Sequence, residues 1–453
     1  MKRFAILLLD IGVLYLSLAF TLLIRYGDNF KYQYGIHHIP FIFIFFIWIF
    51  IFYIDNLYET KYLKNNAQFF SELFRSIAIS SAISAMSFYL IPLYGITPKT
   101  NLVIFIAIFT ILELINRSVS NMIFQKNFKK PTLIVGLNSQ SLELATFLRD
   151  NPQLGYEIKY VIDASADTLI RADEEFEKFG IIQGISNIEN VINREKINTI
   201  VVSPEAYQIS EIINIFYKAL ENKISFFNLS SFFEKLTGRV PLGAINQIWF
   251  LENLSEGRKK GYELAKRIFD IVFSIVIGII TLIFYPLIIL AIKVSSRGPV
   301  FYKQKRVGQH GKIFEMIKFR TMRNDAEIAG AVWAKINDPR ITSVGKFLRK
   351  SRIDELPQIL NILIGEMSFV GPRAERPEFH GQLQSGIPFY EERYLIKPGL
   401  TGWAQINYRY VASVKDTEEK LKYDLYYIKN RSLILDLGII LKTISISLRQ
   451  TGR

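Results

Sequence analysis

The chain has 453 residues, enough for roughly two to four domains, and 50% of them are hydrophobic. It has no cysteine, which excludes disulfides and cysteine-ligated zinc. The formal net charge of +14 is compatible with nucleic acid, an anionic bilayer surface or anionic substrates. Because aromatic residues reach 14% and apolar residues fall in long runs, we rank a membrane and a phosphate substrate first and predict no nucleic-acid partner.

The N-terminal region, residues 1–125, is predicted to form a four-helix transmembrane bundle. Each of its apolar runs approaches the ~20 residues that cross the hydrocarbon core; they are residues 4–24, 39–54, 73–91 and 102–115. Basic residues precede the first run, separate the second from the third and follow the fourth, and the positive-inside rule places them in the cytoplasm. A cleaved signal peptide is the alternative for the first run, but that run is too long and further spans follow it.

Three charged residues, Asp10, Arg75 and Glu113, lie within these runs or at their edges. Ionisable side chains in a membrane usually mark a functional site. Ion pairing, or snorkelling near the helix ends, explains these three equally well.

Residues 126–260 show an alternation typical of a soluble α/β domain. Short apolar runs predict buried strands at residues 132–135, 158–162, 181–182, 199–202 and 224–227. Amphipathic segments between them predict helices, the first at residues 139–149. This order predicts a Rossmann-like, doubly wound parallel sheet.

The first strand of this domain is followed by a degenerate phosphate-binding loop. A dinucleotide site needs the pattern Gly-x-Gly-x-x-Gly, and residues 136–141 keep only the first glycine, Gly136. Asp163, at the end of the second strand, is suited either to a ribose or to a turn. We therefore favour a scaffold or regulatory module over a working NAD site.

A further apolar stretch, residues 271–292, is long enough to cross a bilayer. Cationic residues lie at both of its ends, and Pro286 lies well inside it, where proline interrupts the hydrogen-bond ladder of a helix. These two features favour a re-entrant helix at about residues 267–293 that enters and leaves on the same face. Periodicity alone leaves the choice between re-entrant and spanning helix open.

The most informative stretch of the chain is residues 348–358, where Asp354 and Glu355 lie among Arg349, Lys350 and Arg352. The proline at position 357 is tolerated only in a first helical turn, so a helix is expected to begin near Asp354. Free N–H groups at a helix start favour bound anions. Adjacent carboxylates with cations at such a start suit chemistry on a phosphate, although Ser351 and Asp354 also match an ordinary capping box.

Basic residues punctuated by glycine surround this stretch. Residues 298–308 and 318–322 predict strands or turns that present cations, including Lys318 and Arg320, and two rigid turns carry Arg373 and Lys397. A solvated charged face is the usual alternative. Residues 433–448 form an amphipathic segment suited to the headgroup plane or to a core helix.

The order of these motifs resembles that of the bacterial sugar transferases, the monotopic polyprenyl-phosphate hexose-1-phosphate transferases. The resemblance covers residues 261–453 and rests on motifs at residues 266–270, 298–299, 318–322, 354–358, 371–373 and 397–402. Four preceding spans and a degenerate Rossmann-like domain match the long form that initiates exopolysaccharide or O-antigen synthesis. Two positions depart from the family pattern: Tyr285 replaces a serine, and Ala374 replaces a proline, which loosens that turn.

The resemblance implies a reaction and roles for individual residues. Asp354 would attack the β-phosphate of a UDP-sugar, expel UMP and form a covalent phosphosugar–enzyme, from which undecaprenyl phosphate takes the sugar phosphate. Glu355, with Asp354, would bind Mg²⁺. The remaining catalytic and substrate-binding candidates are all cationic or polar: Arg349, Lys318 and Arg320 beside the acidic pair, and Arg373, Arg352, Lys397, Gln405 and Asp424 for substrate.

The same resemblance implies a multi-pass protein of the bacterial inner membrane with both soluble parts on the cytoplasmic face, membrane lipids as partners and a homodimer. A membrane-anchored nucleotide-sugar dehydratase is an alternative with a similar N-terminal half. It requires a Tyr-x-x-x-Lys pair in an NAD-binding fold, whereas Tyr262 and Lys266 adjoin the apolar helix with no glycine loop nearby. A non-catalytic scaffold for polymer export is the third interpretation.

Overall fold

The computed structural model of the protein describes residues 2–90, 99–126, 129–164, 179–254, 259–323, 338–408 and 413–448. The chain divides into two compact units, residues 1–229 and 230–453. The last residue of the third apolar run, Ile91, lies outside the described ranges, as does the C-terminal Arg453.

The four predicted apolar runs all form helices: α1 Lys2–Tyr26, α2 Phe30–Ile54, α3 Ala67–Leu90 and α4 Lys99–Lys126. Among the residues that the structure describes, three single helical stretches are long and apolar enough to cross a membrane, Lys2–Ile54, Ala67–Leu90 and Thr100–Lys126. The first contains both α1 and α2. Because the rings of Tyr15 in α1 and Phe45 in α2 are 5.0 Å apart, the chain folds back between these helices, at the 3₁₀ turn Gly27–Asn29.

The three charged residues noted within or beside the apolar runs, Asp10, Arg75 and Glu113, are paired. Arg117 is fully buried, and its guanidinium bonds Asp10, Glu113 (2.6 Å) and the carbonyl of Leu57 (2.8 Å). A buried charge without a partner is costly, so this cluster ties α1, α4 and the connection after α2 together. Arg75 lies 3.7 Å from the carboxylate of Asp55. These contacts agree with the ion-pairing explanation.

The second part of this unit is a five-stranded parallel sheet in the order β3-β2-β1-β4-β5. The strands coincide with the predicted runs: β1 Lys130–Val135, β2 Tyr156–Asp163, β3 Ile181–Gln183, β4 Thr199–Val202 and β5 Ser225–Asn228. The helices that accompany them are α5 Ser139–Asp150, α6 Ile188–Arg194 and α7 Ser210–Ala219. The prediction of a parallel sheet is therefore confirmed.

In the loop between β1 and α5, the space and the hydrogen-bonding groups that a phosphate would use are occupied by side chains of the protein. Gly136 has a φ of +104°, and a Cβ placed there would lie 2.0 Å from Oγ of Ser203. Asn138 caps α5 by accepting a hydrogen bond from the Ser141 N–H (2.8 Å), and the Ser141 hydroxyl donates to the Gly136 carbonyl (2.7 Å). The polar groups at this helix start are thus satisfied internally.

After the sheet come the helices α8 Leu229–Thr237 and α9 Gln247–Asn253. From Ser230 onward they belong to the C-terminal unit, in which Trp403 donates to the Gly238 carbonyl (2.7 Å) and Arg239 pairs with Glu419 (2.8 Å). The segment before residue 261 is therefore packed against the region that carries the sugar transferase-like motifs.

The predicted bend at Pro286 is confirmed. The apolar stretch forms α10 Lys260–Leu282 and α11 Tyr285–Ser295, two helices that meet at 62°, with Pro286 in the first turn of α11. Arg267, near the start of α10, donates to the carbonyls of Ile362 (2.6 Å) and Leu363 (2.7 Å). At the other end, Arg320 donates to the carbonyl of Ser296 (2.7 Å). Both ends of the bent pair are thus attached to one globular unit.

The remaining elements pack around a core that includes the fully buried Leu425 and Ile439. They are the antiparallel hairpin β6 Phe301–Val307 and β7 Ile313–Phe319, the helices α12 Ser343–Lys350, α13 Ile359–Ile364, α14 Pro377–Gly386, α15 Trp403–Asn407, α16 Val414–Asn430 and α17 Leu433–Leu448, and the parallel pair β8 Ser368–Val370 and β9 Gly399–Thr401. Helix α17 buries Asp436 and Ile439 and leaves Ile434 exposed, so one of its faces belongs to the core.

Candidate active site

The acidic pair lies on a 3₁₀ turn at Ile353–Gln358, here called the acidic turn, which leads directly into α13. Arg352 adopts a left-handed conformation (φ +59°) and reverses the chain between α12 and this turn. Ser351 does not cap it, because its hydroxyl donates to the carbonyls of Phe347 and Leu348 in α12. The capping-box explanation is therefore wrong. Helical structure begins at Ile353, one residue before the predicted Asp354, but as a 3₁₀ turn, and the α-helix itself begins at Ile359.

Three cations converge on one oxygen of Glu355. Its Oε1 lies 3.2 Å from Nζ of Lys318 and 3.8 Å from both Nη1 of Arg352 and Nη2 of Arg373. Burial alone would raise the pKa of Glu355, but these positive charges outweigh it and hold that pKa well below its usual range. Glu355 is therefore ionised at neutral pH, and the site carries a surplus of positive charge.

Asp354 is different, although it is the neighbour of Glu355. Its carboxylate is buried, and its Oδ1 has no hydrogen-bond partner in the described structure. Burial and the charge of Glu355 raise the pKa of Asp354, against the opposing effect of Lys318 and Arg349. A buried acceptor without a partner is costly, so this oxygen is available to a ligand.

Lys318 and Arg349 are positioned by separate elements. Lys318 is the penultimate residue of β7, and burial lowers its pKa. Asn361 of α13 ties this strand to the acidic turn, because its amide donates to the Glu315 carbonyl (2.8 Å) and accepts from the Ile317 N–H (3.2 Å). Arg349, in the last turn of α12, donates from Nε to the hydroxyl of Thr321 (2.8 Å).

Arg320 and Asp424 are placed elsewhere than at the acidic pair. Arg320 is two residues beyond Lys318 and bonds the carbonyls at the end of α11. Asp424 is buried and accepts a hydrogen bond from Arg393 (2.9 Å). Among the described residues, neither has a contact with Asp354 or Glu355. Both therefore hold the scaffold in this arrangement.

Lys397 and Gln405 lie on the segment that runs beside β8. Nζ of Lys397 is 3.5 Å from the position of a Cβ at Gly365, which ends α13 opposite to the acidic turn. Gln405 donates to the Leu400 carbonyl (3.3 Å), and its Oε1 is buried with no partner in the described structure. The structure thus brings together six of the predicted site residues, namely Asp354, Glu355, Lys318, Arg349, Arg352 and Arg373, and not these two.

Two arginines that we did not select from the sequence border the site. Arg306 donates from Nη1 to the Ala374 carbonyl (3.0 Å), and Arg393 donates from Nη2 to the Arg373 carbonyl (3.0 Å). The signal for Arg306 is present in the sequence of β6. In that strand Lys303 and Lys305 are exposed, whereas Arg306 shares the other face with Tyr302 and Gln304. Nothing local identifies Arg393.

The acidic pair offers carboxylate oxygens, which are ligands that Mg²⁺ prefers. In the described ranges no three acidic or histidine side chains gather as a metal cage. Mg²⁺ does not need one, since it is usually bound by one or two carboxylates together with waters and substrate phosphates. The unpartnered Oδ1 of Asp354 and the ionised carboxylate of Glu355 supply that donor set. The residues therefore fit the ion, provided that a phosphate completes its coordination.

Comparison with known proteins identifies similar chains. Residues 261–450 match the family described as bacterial sugar transferase. A protein of Rhizobium leguminosarum bv. phaseoli called exopolysaccharide production protein PSS is 40% identical over 189 residues, which are 40% of this chain and 94% of that protein.

Two longer relatives carry enzyme names. One from Aeromonas hydrophila, called UDP-N-acetylgalactosamine-undecaprenyl-phosphate N-acetylgalactosaminephosphotransferase, is 41% identical over 224 residues, 49% of this chain and 52% of the relative. One from Escherichia coli (strain K12), called UDP-glucose:undecaprenyl-phosphate glucose-1-phosphate transferase, is 41% identical over 186 residues, 40% of this chain and 39% of the relative. The chain thus spans about half the length of the first of these relatives and less of the second.

Proposed function

The chain belongs to the bacterial sugar transferase family, and from this premise we propose that it transfers a hexose 1-phosphate from a UDP-sugar to undecaprenyl phosphate and releases UMP. The observation that carries this proposal is the pairing of a buried, unpartnered carboxylate oxygen on Asp354 with three cations around Glu355. Such a site suits a diphosphate substrate and a carboxylate nucleophile.

The reaction proceeds in two displacements at phosphorus. A carboxylate oxygen of Asp354 forms a bond to the β-phosphorus of the UDP-sugar, and the bond from that phosphorus to the bridging oxygen breaks. The electron pair leaves with the bridging oxygen, which becomes part of UMP. An oxygen of undecaprenyl phosphate then attacks the aspartyl phosphate, regenerates the carboxylate and carries the sugar away as a diphosphate.

The cations of the site address the main obstacle to this chemistry, which is repulsion between an ionised aspartate and an anionic diphosphate. Lys318, Arg352 and Arg373 already face an anion, the carboxylate of Glu355, so they are oriented before the donor binds. Asp354 and Glu355 would hold Mg²⁺. The bound ion would neutralise phosphate charge as a Lewis acid.

The membrane arrangement follows from the bent pair α10 and α11. Arg267 and Arg320 attach the two ends of this pair to one globular unit, which favours a re-entrant helix over a crossing one. We propose that the site lies at the headgroup level of the cytoplasmic face of the inner membrane, where a soluble donor and a lipid phosphate meet. Tags placed after residue 453 and in the loop before β4 are expected to be accessible from the same face, and accessibility from opposite faces would contradict the re-entrant helix.

The dehydratase alternative has less support. Its candidate pair, Tyr262 and Lys266, is committed to one buried acid, because both side chains bond Oδ2 of Asp436 (2.9 and 2.7 Å). The glycine loop that would hold NAD is filled by Asn138 and Ser141. Formation of a 4-keto product from a UDP-sugar and NAD would establish that alternative.

The test of the proposal is a panel of UDP-hexoses assayed with undecaprenyl phosphate and Mg²⁺, with released UMP as the readout. Glucose, galactose and N-acetylated hexoses belong in the panel, since the relatives are named for both glucose and N-acetylgalactosamine. We expect one donor to release UMP and, when it carries a label, to leave an adduct on the peptide that contains Asp354. Absence of UMP from every donor would favour the export scaffold.

The product of this reaction would be the first lipid-linked sugar of a surface polysaccharide, such as an exopolysaccharide, an O-antigen or a capsule. A lipid-linked sugar diphosphate can be extended by glycosyl transferases at the same membrane face. The name of the Rhizobium relative, which refers to exopolysaccharide production, supports this place in the sequence of reactions.

A further inference from the structure

Three consecutive carbonyls, those of residues 373–375, are each held by a donor from another part of the chain. This segment is here called the arginine turn. Arg393 donates to the Arg373 carbonyl (3.0 Å), Arg306 to the Ala374 carbonyl (3.0 Å), and the Val307 N–H to the Glu375 carbonyl (2.9 Å). The arginine turn has no regular secondary structure, so these three bonds fix its backbone.

The two guanidinium donors are themselves held by other side chains, buried ones in the case of Arg393 and a half-buried one in the case of Arg306. Arg393 is 2% exposed, and it donates to Asp424 (2.9 Å) and to the hydroxyl of Tyr390 (2.9 Å). Arg306 places Nε and Nη2 against Oε1 of Gln304, at 3.1 and 2.5 Å. A guanidinium that is bound on two sides has little freedom to move. Each arginine therefore holds the carbonyl that it bonds at a fixed distance from its other partner.

The arginine turn matters because Arg373 is one of the three cations that face Glu355, at 3.8 Å. A long side chain on an irregular segment reaches one place reliably only when its backbone is fixed. Ala374 does not restrict that backbone as a proline would, since proline fixes φ near −65°. The external donors supply the restriction that the sequence lacks.

We propose that Arg306 and Arg393 are positioning residues for the donor-binding Arg373, which they hold in place through the carbonyls of the arginine turn. The inference rests on the proposed function, because Arg373 is taken to contact the donor diphosphate. It also accounts for Asp424, which serves the site indirectly by holding Arg393.

The decisive experiment combines two substitutions. Arg306→Met removes the donor to the Ala374 carbonyl, and Ala374→Pro restores rigidity by covalent means. The Ala374 N–H has no hydrogen bond in the described structure that a proline would remove. Arg306→Met alone is expected to lower kcat/KM for the UDP-sugar roughly 10- to 100-fold, mostly through KM, because a cation misplaced by about 1 Å binds the donor poorly. The double variant is expected to recover most of this loss.

Lys303→Met is the matched control. Lys303 lies on the same strand, carries the same charge and pairs with Glu315 on an exposed face (3.2 Å). We expect it to leave kcat/KM unchanged. A loss as large as that of Arg306→Met would mean that overall charge, and not the bond to Ala374, explains the effect, and would overturn the proposal.

Hydrogen exchange of residues 371–376 supplies an independent readout. Arg306→Met is expected to speed exchange of the two hydrogen-bonded amides that flank the arginine turn, those of Gly371, which donates to the Thr401 carbonyl, and Val307, which donates to the Glu375 carbonyl. Thermal unfolding should otherwise stay close to that of the wild type. Lower activity of Arg306→Met with unchanged exchange would show that Arg306 contacts the donor itself, and would overturn the proposal. The same conclusion would follow if Ala374→Pro left the wild type fully active but did not rescue Arg306→Met. Should Ala374→Pro impair the wild type, the exchange result alone decides.

Arg393 is tested by Arg393→Lys, which keeps the charge in its buried network and shortens the reach to the Arg373 carbonyl. We expect a higher KM and faster exchange of residues 371–376, and unchanged values of both in a folded variant would contradict its part in the proposal. All of these measurements compare variants with an active wild type. A wild type that releases no UMP would refute the proposed function instead, so the two failures are distinguishable.

Discussion

Two helix starts in this protein have the same general form and opposite character. At the start of α5, Asn138 caps the helix, the Ser141 hydroxyl donates a hydrogen bond to the Gly136 carbonyl, and Ser203 occupies the space beside Gly136. At the acidic turn, by contrast, the buried Oδ1 of Asp354 has no partner in the described structure, and three cations share one oxygen of Glu355.

The difference shows how to separate a helix start that only resembles a phosphate-binding loop from one that is open to a ligand. A helix start is a ready anion site only while its donors are free and the approach is open. In α5 these conditions are not met, because the Ser141 N–H is bonded to Asn138 and the Ser203 side chain occupies the space beside Gly136. At the acidic turn the buried Oδ1 of Asp354 has no partner in the described structure, so we expect a ligand to bind there. We therefore expect substitutions at the two starts to have different consequences.

The largest effect is expected from Asp354→Asn. This change removes the nucleophilic charge and keeps the shape, so turnover should fall by roughly 10⁴-fold or more while the protein remains folded. UMP release and thermal unfolding measure the two parts of this prediction. Turnover close to that of the wild type would mean that the unpartnered oxygen of Asp354 has no role in the chemistry.

Glu355→Gln should have the next largest effect. The neutral amide is a weaker metal ligand, and it leaves Lys318, Arg352 and Arg373 without their shared counter-ion, so they repel one another. We expect the Mg²⁺ concentration for half-maximal turnover to rise roughly 10- to 100-fold. A Mg²⁺ titration that coincides with that of the wild type would remove Glu355 from the list of ligands.

A smaller effect is expected from Lys318→Met, which removes one of the three cations and keeps an aliphatic side chain. A charge-assisted contact is worth at least about 1.5 kcal/mol, and Lys318 is one of three cations that share this role, so kcat/KM for the donor should fall roughly 10-fold. The exposed Lys303 of the neighbouring strand again provides the control, as Lys303→Met. An equal kcat/KM for Lys318→Met and Lys303→Met would show that the contact between Lys318 and Glu355 does not contribute to donor binding or turnover.

Much of the fold and of the acidic site could be predicted from the sequence. Where a prediction failed, the failure has a physical cause. The strands of the parallel sheet were predictable because buried runs such as Thr199–Val202 consist of β-branched, mostly apolar residues. The acidic pair was predictable because Asp354 and Glu355 are adjacent and lie among basic residues, and Lys318 because it belongs to the basic motif at residues 318–322. Arg320 belongs to the same motif, but β7 ends at Phe319, and beyond it Arg320 donates to the Ser296 carbonyl.

The positioning arginines could not be selected in the same way. Arg306 meets Ala374 across 68 residues, and Arg393 meets Asp424 across 31. Contacts at such separations depend on how β6, α16 and the arginine turn pack together, and no local pattern encodes them. The capping box at Ser351 and Asp354 failed for the converse reason. Its spacing is right, but the left-handed Arg352 between the two residues reverses the chain.

The smallest effect on activity, and the sharpest use of the comparison, is expected from Asn138→Ala. The substitution removes the cap of α5, which should cost about 1 kcal/mol of stability in the N-terminal unit. Because the site at the acidic turn lies in the other unit, UMP release should be unchanged. Thermal unfolding with the UMP assay measures both. Lower turnover without a loss of folded protein would mean that the α5 start takes part in the reaction, and the contrast between a closed helix start and an open one would then no longer hold.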